Sequence, residues 1–146
     1  MTCTCNPGWD KNVDHCYYFS NFKTNWADAE DFCQSNGTHL ASVNSMATNN
    51  YMVSELATRG IDKAWFGGND IEEEGTWTWT DRSSWGFTFW NKGQPNNGMG
   101  LKQDCLQYDR DVYKWDDDYC SRDKVVVCGT ICQGKNHKLS YIYHKL

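Results

Sequence analysis

Residues 65–81, WFGGNDIEEEGTWTWTD, split the chain into two textures. Ala64 to Asp70 is a short apolar run that ends in two polar residues, and it reads as a strand. Gly75 to Asp81 reads as another: Thr76 to Thr80 alternates Thr with Trp, giving one aromatic and one hydroxyl face. The acidic run between them, Asp70 to Glu74, reads on its own as a solvated turn.

Upstream of Gly60 the apolar residues recur at helical spacing. A helix is expected from about Thr24 to Asn36, with Thr24 as N-cap, Trp26, Ala29, Phe32 and Cys33 on one face, and Gly37 as the stop. A second runs from about Ser45 to Arg59, capped by Ser45, with Met52, Val53 and Leu56 inward and Gly60 at its end. Before them, WDKNVDHCYYFSNFK (residues 9–23) is short, extended and aromatic, with Cys5 and Cys16 bracketing a hairpin. Downstream, residues 82–114 are loop-like and rich in Gly, Asn, Ser and Asp. The aromatics Trp85, Phe87, Phe89 and Trp90 argue against disorder there. Two short strands follow the pattern, DCLQYD (residues 104–109) and KVVVCG (residues 124–129). The basic tail, residues 134–146, reads as frayed or as a weak strand with Leu139, Tyr141 and Tyr143 on one face. Helices first and strands after make an α+β pattern with one domain over residues 1–133.

Composition bounds the function. A chain of 146 residues can bury a core, roughly 68–70% of its extended surface. The net charge of −5, without a basic run, points away from nucleic acid. The mean hydropathy is −0.78, and no stretch reaches the roughly 20 apolar residues of a membrane span. Eight cysteines in so short a chain read as a disulfide framework and an oxidising, extracellular compartment. Zinc fits poorly, because Cys3-Thr-Cys5 is too tight and the other cysteines lack matching partners. Met1 is followed at once by Thr-Cys-Thr-Cys, so the expectation is a secreted chain whose leader has been removed. Asn36-Gly37-Thr38 is a glycosylation sequon.

WFGGND (65–70), GTWTWTD (75–81), GQPNN (93–97) and KWDD (114–117) occur in that order, punctuated by Cys33, Cys105, Cys120 and Cys128. Over residues 5–129 the chain resembles a C-type lectin-like domain. The resemblance implies two helices, short antiparallel sheets, a long calcium-binding loop and disulfide staples. It pairs Cys33 with Cys128, Cys105 with Cys120 and Cys5 with Cys16. Cys3 and Cys132 remain, either bonded within the chain or bonded between chains in a covalent dimer. Trp26, Trp65, Trp77 and Trp79 read as core.

Calcium takes six to eight oxygen ligands. The resemblance implies a principal calcium site at Gln94, Asn96, Gln103, Asp116 and Asp117, the first two flanking a cis-proline. It implies a second at Asp70, Glu74, Asn97 and Asp104. Sugar hydroxyls would meet Gln94, Asn96, Gln103 and Asp116. Mannose-binding members carry Glu-Pro-Asn and galactose-binding members Gln-Pro-Asp, whereas this chain carries Gln-Pro-Asn. Gln103 also stands where an acid is usual, and Asp116 where an amide is usual. An amide whose oxygen holds calcium has only its NH2 left, a donor. Asp116 is then the one acceptor for two sugar hydroxyls, and an unsatisfied polar group costs roughly 1–3 kcal/mol. Two outcomes follow: weak binding that relies on multivalent display, or compensation by Met99, Lys102, Tyr108 or Tyr113. No aromatic lies between Asn97 and Lys102 to stack on galactose, which leans the reading toward a mannose-like, equatorial-diol ligand.

The expected function is therefore a secreted, calcium-dependent carbohydrate-binding lectin, used in recognising microbes. The competing reading is a lectin-like protein that binds protein, mineral or ice and no sugar. An enzyme is not expected. His15, His39, His137 and His144 lie in no catalytic motif, His39 reads as structural, and there is neither a phosphate-cradling loop nor a nucleophile elbow.

Overall fold

The computed structural model describes residues 3–100 and 102–134. The tail from residue 135 onward, with the strand expected around Leu139, Tyr141 and Tyr143, lies outside them. In chain order the elements are β1 (Cys3–Thr4), β2 (Asp10–Asn12), β3 (His15–Thr24), α1 (Trp26–Ser35), β4 (His39–Leu40), α2 (Met46–Thr58) and β5 (Lys63–Asn69). Then follow β6 (Thr78–Trp79), α3 (Asn97–Gly100), β7 (Cys105–Asp109), β8 (Lys114–Asp118), β9 (Lys124–Ile131) and β10 (Gln133–Gly134).

The main sheet runs β2-β3-β9-β5-β7-β8, with β4 on β9 and β6 on β5. Its pairs are antiparallel except β5 with β9. The centre of the sheet is buried on both sides, and β9 shows how. Successive strand residues point to opposite faces. Val125 and Val127 join one cluster with Phe19, Met52, Leu56, Phe66, Leu106 and Trp115. Val126 and Cys128 join the other, with Trp26, Ala29, Leu40 and Trp65 under α1. Trp65, Trp77, Trp79 and Trp26 are all core, as their size demands.

Local chemistry accounts for the helix ends. Ser45 caps α2 as expected, its side chain accepting from the Thr48 amide. For α1 the cap is Asn25 rather than Thr24: Asn25 Oδ1 accepts from Asp28 N at 2.9 Å. Thr24 is instead the last residue of β3, paired with Lys124. Asn36 closes α1 and is exposed, with its Nδ2 donating to Phe32 O at 3.0 Å. Buried Glu30 accepts from Leu40 N at 2.9 Å and pairs with His39 Nδ1 at 2.7 Å. His39 thus ties α1 to β4.

Other expectations shift. Only Thr78–Trp79 of GTWTWTD pairs as a strand, and Trp77 packs in the core beside it. KWDD opens β8, which the loop-like texture around it had hidden. Trp85, Phe87, Phe89 and Trp90 are half-buried and pack on the core around Trp115, with Trp90 and Trp115 ring centroids 5.9 Å apart. Four disulfides staple the fold: Cys3–Cys132, Cys5–Cys16, Cys33–Cys128 and Cys105–Cys120. No cysteine is left free, and Cys3 and Cys132 are bonded within the chain beside the β1–β10 pair.

Candidate functional site

The long loop closes over the end of the β7–β8 hairpin. Its anchor is Asp117, which is 2% exposed. Asp117 Oδ1 accepts from Asn96 N at 3.2 Å and Oδ2 from Asn97 N at 2.6 Å. The Gln94–Pro95 peptide between the flanking side chains is cis. Past the proline the loop turns on itself: Asn96 Oδ1 accepts from Gly98 N at 3.0 Å, and Asn97 Oδ1 from Gln103 N at 2.8 Å. Gly98 sits at φ 60°, where a Cβ would come within 3.0 Å of the Tyr119 hydroxyl and 3.1 Å of Gln103 Cδ. Glycine is what fits there.

Gln94, Asn96, Gln103, Asp116 and Asp117 line one open groove of about 910 Å³. All five residues expected for a principal calcium site therefore face the same groove. Gln94 Oε1 is buried without a hydrogen-bond partner. A buried acceptor left empty is costly, and a cation would satisfy it. Burial, then hydrogen bonding to Asp117 and its charge, push the Asp116 carboxyl up to about 6. A bound cation would reverse that shift by favouring the carboxylate.

A second cluster lies where β5 ends. Carboxylate oxygens of Asp70, Glu74 and Asp104 come within 4.8 Å of one another. Asp70 is 2% exposed, and its Oδ2 accepts from Gly75 N at 2.9 Å. Asp70 Oδ1 and Asp104 Oδ1 are buried without partners. Burial, and next the hydrogen bond that the protonated acid gives to Glu74, push the Asp70 carboxyl up to about 7. Uncompensated acids at this spacing suit a hard divalent cation. Within the DIEEE run Asp70 is buried, whereas Ile71 to Glu74 are exposed. Asn97, the fourth residue expected here, already directs its Oδ1 to the Gln103 amide.

Of the residues expected to compensate for the missing acids, Tyr108 is excluded as a ligand contact. It is 1% exposed and packs against Phe66 in the core. Tyr113 is 51% exposed and Lys102 is exposed, but neither lines the groove. Nothing is described of the Met99 side chain. Among the lining residues that the sequence had not singled out are Gln107, Asp118 and Lys124. Asp118 Oδ2 and Lys124 Nζ form an ion pair at 2.6 Å, both side chains at most 5% exposed. Two-residue alternation along CLQYD and KWDDD puts Gln107 with Asp109 and Asp116 with Asp118, but does not say whether those faces meet a groove or bulk water.

The family model described as Lectin C-type domain matches residues 22–130. Lectin BRA-3 of Megabalanus rosa is 36% identical over 132 residues, 86% of this chain and 78% of that protein. Among solved structures, the carbohydrate-recognition domain of the mouse scavenger receptor C-type lectin superposes with a TM-score of 0.81 at 30% identity. It covers 89% of this chain and 98% of that one. A calcium-independent type II antifreeze protein superposes with a TM-score of 0.83 at 28% identity, over 91% and 98% of the two chains.

Proposed function

Because the chain belongs to the C-type lectin domain family, we propose that it is a secreted, calcium-dependent carbohydrate-binding protein that favours a mannose-like ligand with an equatorial diol. One observation carries this reading. Five oxygen-bearing side chains line one groove, and Gln94 Oε1 is buried there with no protein partner. Calcium would be held by Gln94, Asn96, Gln103, Asp116 and Asp117. Once bound, it would supply coordination sites and positive charge for sugar hydroxyls. A further ion would be held by Asp70, Glu74 and Asp104, with Asn97 offering its free lone pair. The same side chains set the sugar contacts: the amides of Gln94, Asn96 and Gln103 donate, and Asp116 accepts. With few carboxylates the calcium is held loosely, and the single-site sugar affinity is low.

A second reading keeps the fold and drops the sugar. The tripeptide Gln-Pro-Asn and Gln103 favour it, as does the likeness to an antifreeze protein described as calcium-independent.

Thermal unfolding separates the two. A ligand at 100 times its Kd stabilises the native state by about 2.7 kcal/mol. The midpoint should therefore rise on moving from chelator to millimolar calcium, and should rise less for Asp117→Ala, which leaves only the Asp70 cluster to hold an ion. An unchanged wild-type midpoint would remove the calcium site and favour the second reading.

A further inference from the structure

We propose that Asn36 is the attachment site of an N-linked oligosaccharide, and that the sugar is transferred before the end of α1 folds. This rests on the secreted part of the reading above and not on the calcium groove. Asn36-Gly37-Thr38 is the one Asn-X-Ser/Thr tripeptide, with X other than Pro, in the whole sequence. The motif alone is common by chance. What carries the proposal is that the fold treats the two ends of the tripeptide in opposite ways.

Asn36 is exposed at the C-terminal end of α1. Its Nδ2 donates to Phe32 O at 3.0 Å and stands 3.4 Å from Ser35 Oγ. An amide nitrogen carries two hydrogens, and a glycosidic bond replaces one of them. The remaining hydrogen keeps the Phe32 bond, and the long contact to Ser35 is the one given up. A cavity of about 600 Å³ opens beside Asn36, with half-buried Trp9 on its wall. The first sugar ring therefore has room, and an indole ring to lie against. This cavity shares no lining residue with the calcium groove, so the attachment point is separate from it.

Thr38, by contrast, is 8% exposed. Its Oγ1 donates to Cys33 O at 2.9 Å, and its backbone amide donates to the same oxygen at 3.0 Å. The Asn36 amide reaches that oxygen too, at 3.0 Å. A transferase that needs the hydroxyl of the third residue finds it buried and occupied once α1 is capped. Transfer therefore comes before capping. The order of synthesis leaves time for it, because Cys33 is bonded to Cys128, 95 residues downstream. Chains grow at about 5–20 residues per second, so the bond that pins the end of α1 cannot form for about 5–20 s. In the transfer, Asn36 Nδ2 loses one proton and bonds to C1 of the first sugar of a polyprenyl-diphosphate oligosaccharide. The C1–O bond breaks, and the lipid diphosphate leaves with the electron pair.

The test is transfer in vitro to the full chain. Solubilised oligosaccharyltransferase and its lipid-linked donor are given the chain folded with its four disulfides, and the same chain reduced and alkylated. Product is read as a band that peptide N-glycosidase shifts, with heavy oxygen from labelled water entering at Asn36. The reduced chain should be modified at least about tenfold faster, because in the folded chain Thr38 is reached only through local opening. Asn36→Gln and Thr38→Val should remove the product and Thr38→Ser should keep it. All three are read on the reduced chain, where none can act by misfolding. A reduced wild-type chain left unmodified, or modification that survives Asn36→Gln or Thr38→Val, overturns the site. Equal rates for folded and reduced chains overturn the order of events. In eukaryotic cells, with a secretion leader appended, the chain in the medium should carry the glycan at Asn36. An unmodified chain in the medium overturns the proposal while secretion stands. A modified chain held inside the cell contradicts the secreted reading and leaves the site standing.

Discussion

Asp117 has two tasks in one place. Its carboxylate accepts the Asn96 and Asn97 amides, which shapes the loop, and it lines the groove where the other oxygens converge. Asp117→Ala should therefore abolish calcium-dependent ligand binding and also cost roughly 1–3 kcal/mol through the orphaned amides, read by denaturant unfolding in chelator. Circular dichroism should still report the fold. Binding at wild-type strength would put the ligand elsewhere. Asp70 makes a pH prediction. Burial first, and Glu74 next, push its carboxyl up to about 7, against about 3.9 when unfolded. The folded chain then holds that proton more tightly than the unfolded one. The contribution to stability is full at low pH and is lost as pH rises through about 7. In chelator the unfolding midpoint should fall across that window, and calcium, which prefers the carboxylate, should flatten the slope. A flat profile in chelator would contradict the buried acid cluster. At this scale the sequence was informative about oxygen donors, because their type and order could be read directly. It was silent about Gln107 and Asp118. An amide or an acid on a strand looks the same whether its face meets a groove or bulk water.

Strand β5 holds the site in place through its glycines. A Cβ on Gly67 would lie 2.8 Å from Leu40 O and 3.0 Å from Thr80 Oγ1. One on Gly68 would lie 2.6 Å from Leu106 Cδ1. Gly67→Ala meets backbone that cannot swing aside, so it should destabilise by about 1–3 kcal/mol in a denaturant titration. A neutral result would mean that β4 shifts freely. Elements with strong local chemistry were legible: Ser45 capped α2, and apolar spacing marked both helices. The cap of α1 moved by one residue because Thr24 was claimed by pairing with Lys124, a contact no local pattern reveals. Strand β8 was hidden for a related reason. Its run Lys-Trp-Asp-Asp-Asp looks like a charged turn, and only the pairing with β7 and the ion pair of Asp118 with Lys124 make it a strand.

On the scale of the whole molecule, staples and a two-sided core make a rigid frame for a loop that has almost no secondary structure of its own. Cys33–Cys128 spans 95 residues and joins α1 to β9. By loop-closure entropy, replacing both with alanine should cost about 4–5 kcal/mol, seen as a large fall in unfolding midpoint. A loss below about 1 kcal/mol would mean that the reduced chain keeps its own long-range structure. The family was legible from the order of four motifs and the cysteines between them, even though each motif alone is weak. Ligand choice was not, because Gln94 and Gln103 remove the acids that usually declare it. The central claim is that calcium converts this groove into a sugar site. It is tested most directly by a glycan array probed with the purified protein in calcium and again in chelator. The account predicts selective signals for mannose-ended glycans that vanish with the chelator. Flat signals across all glycans, or selective signals that survive the chelator, would contradict it.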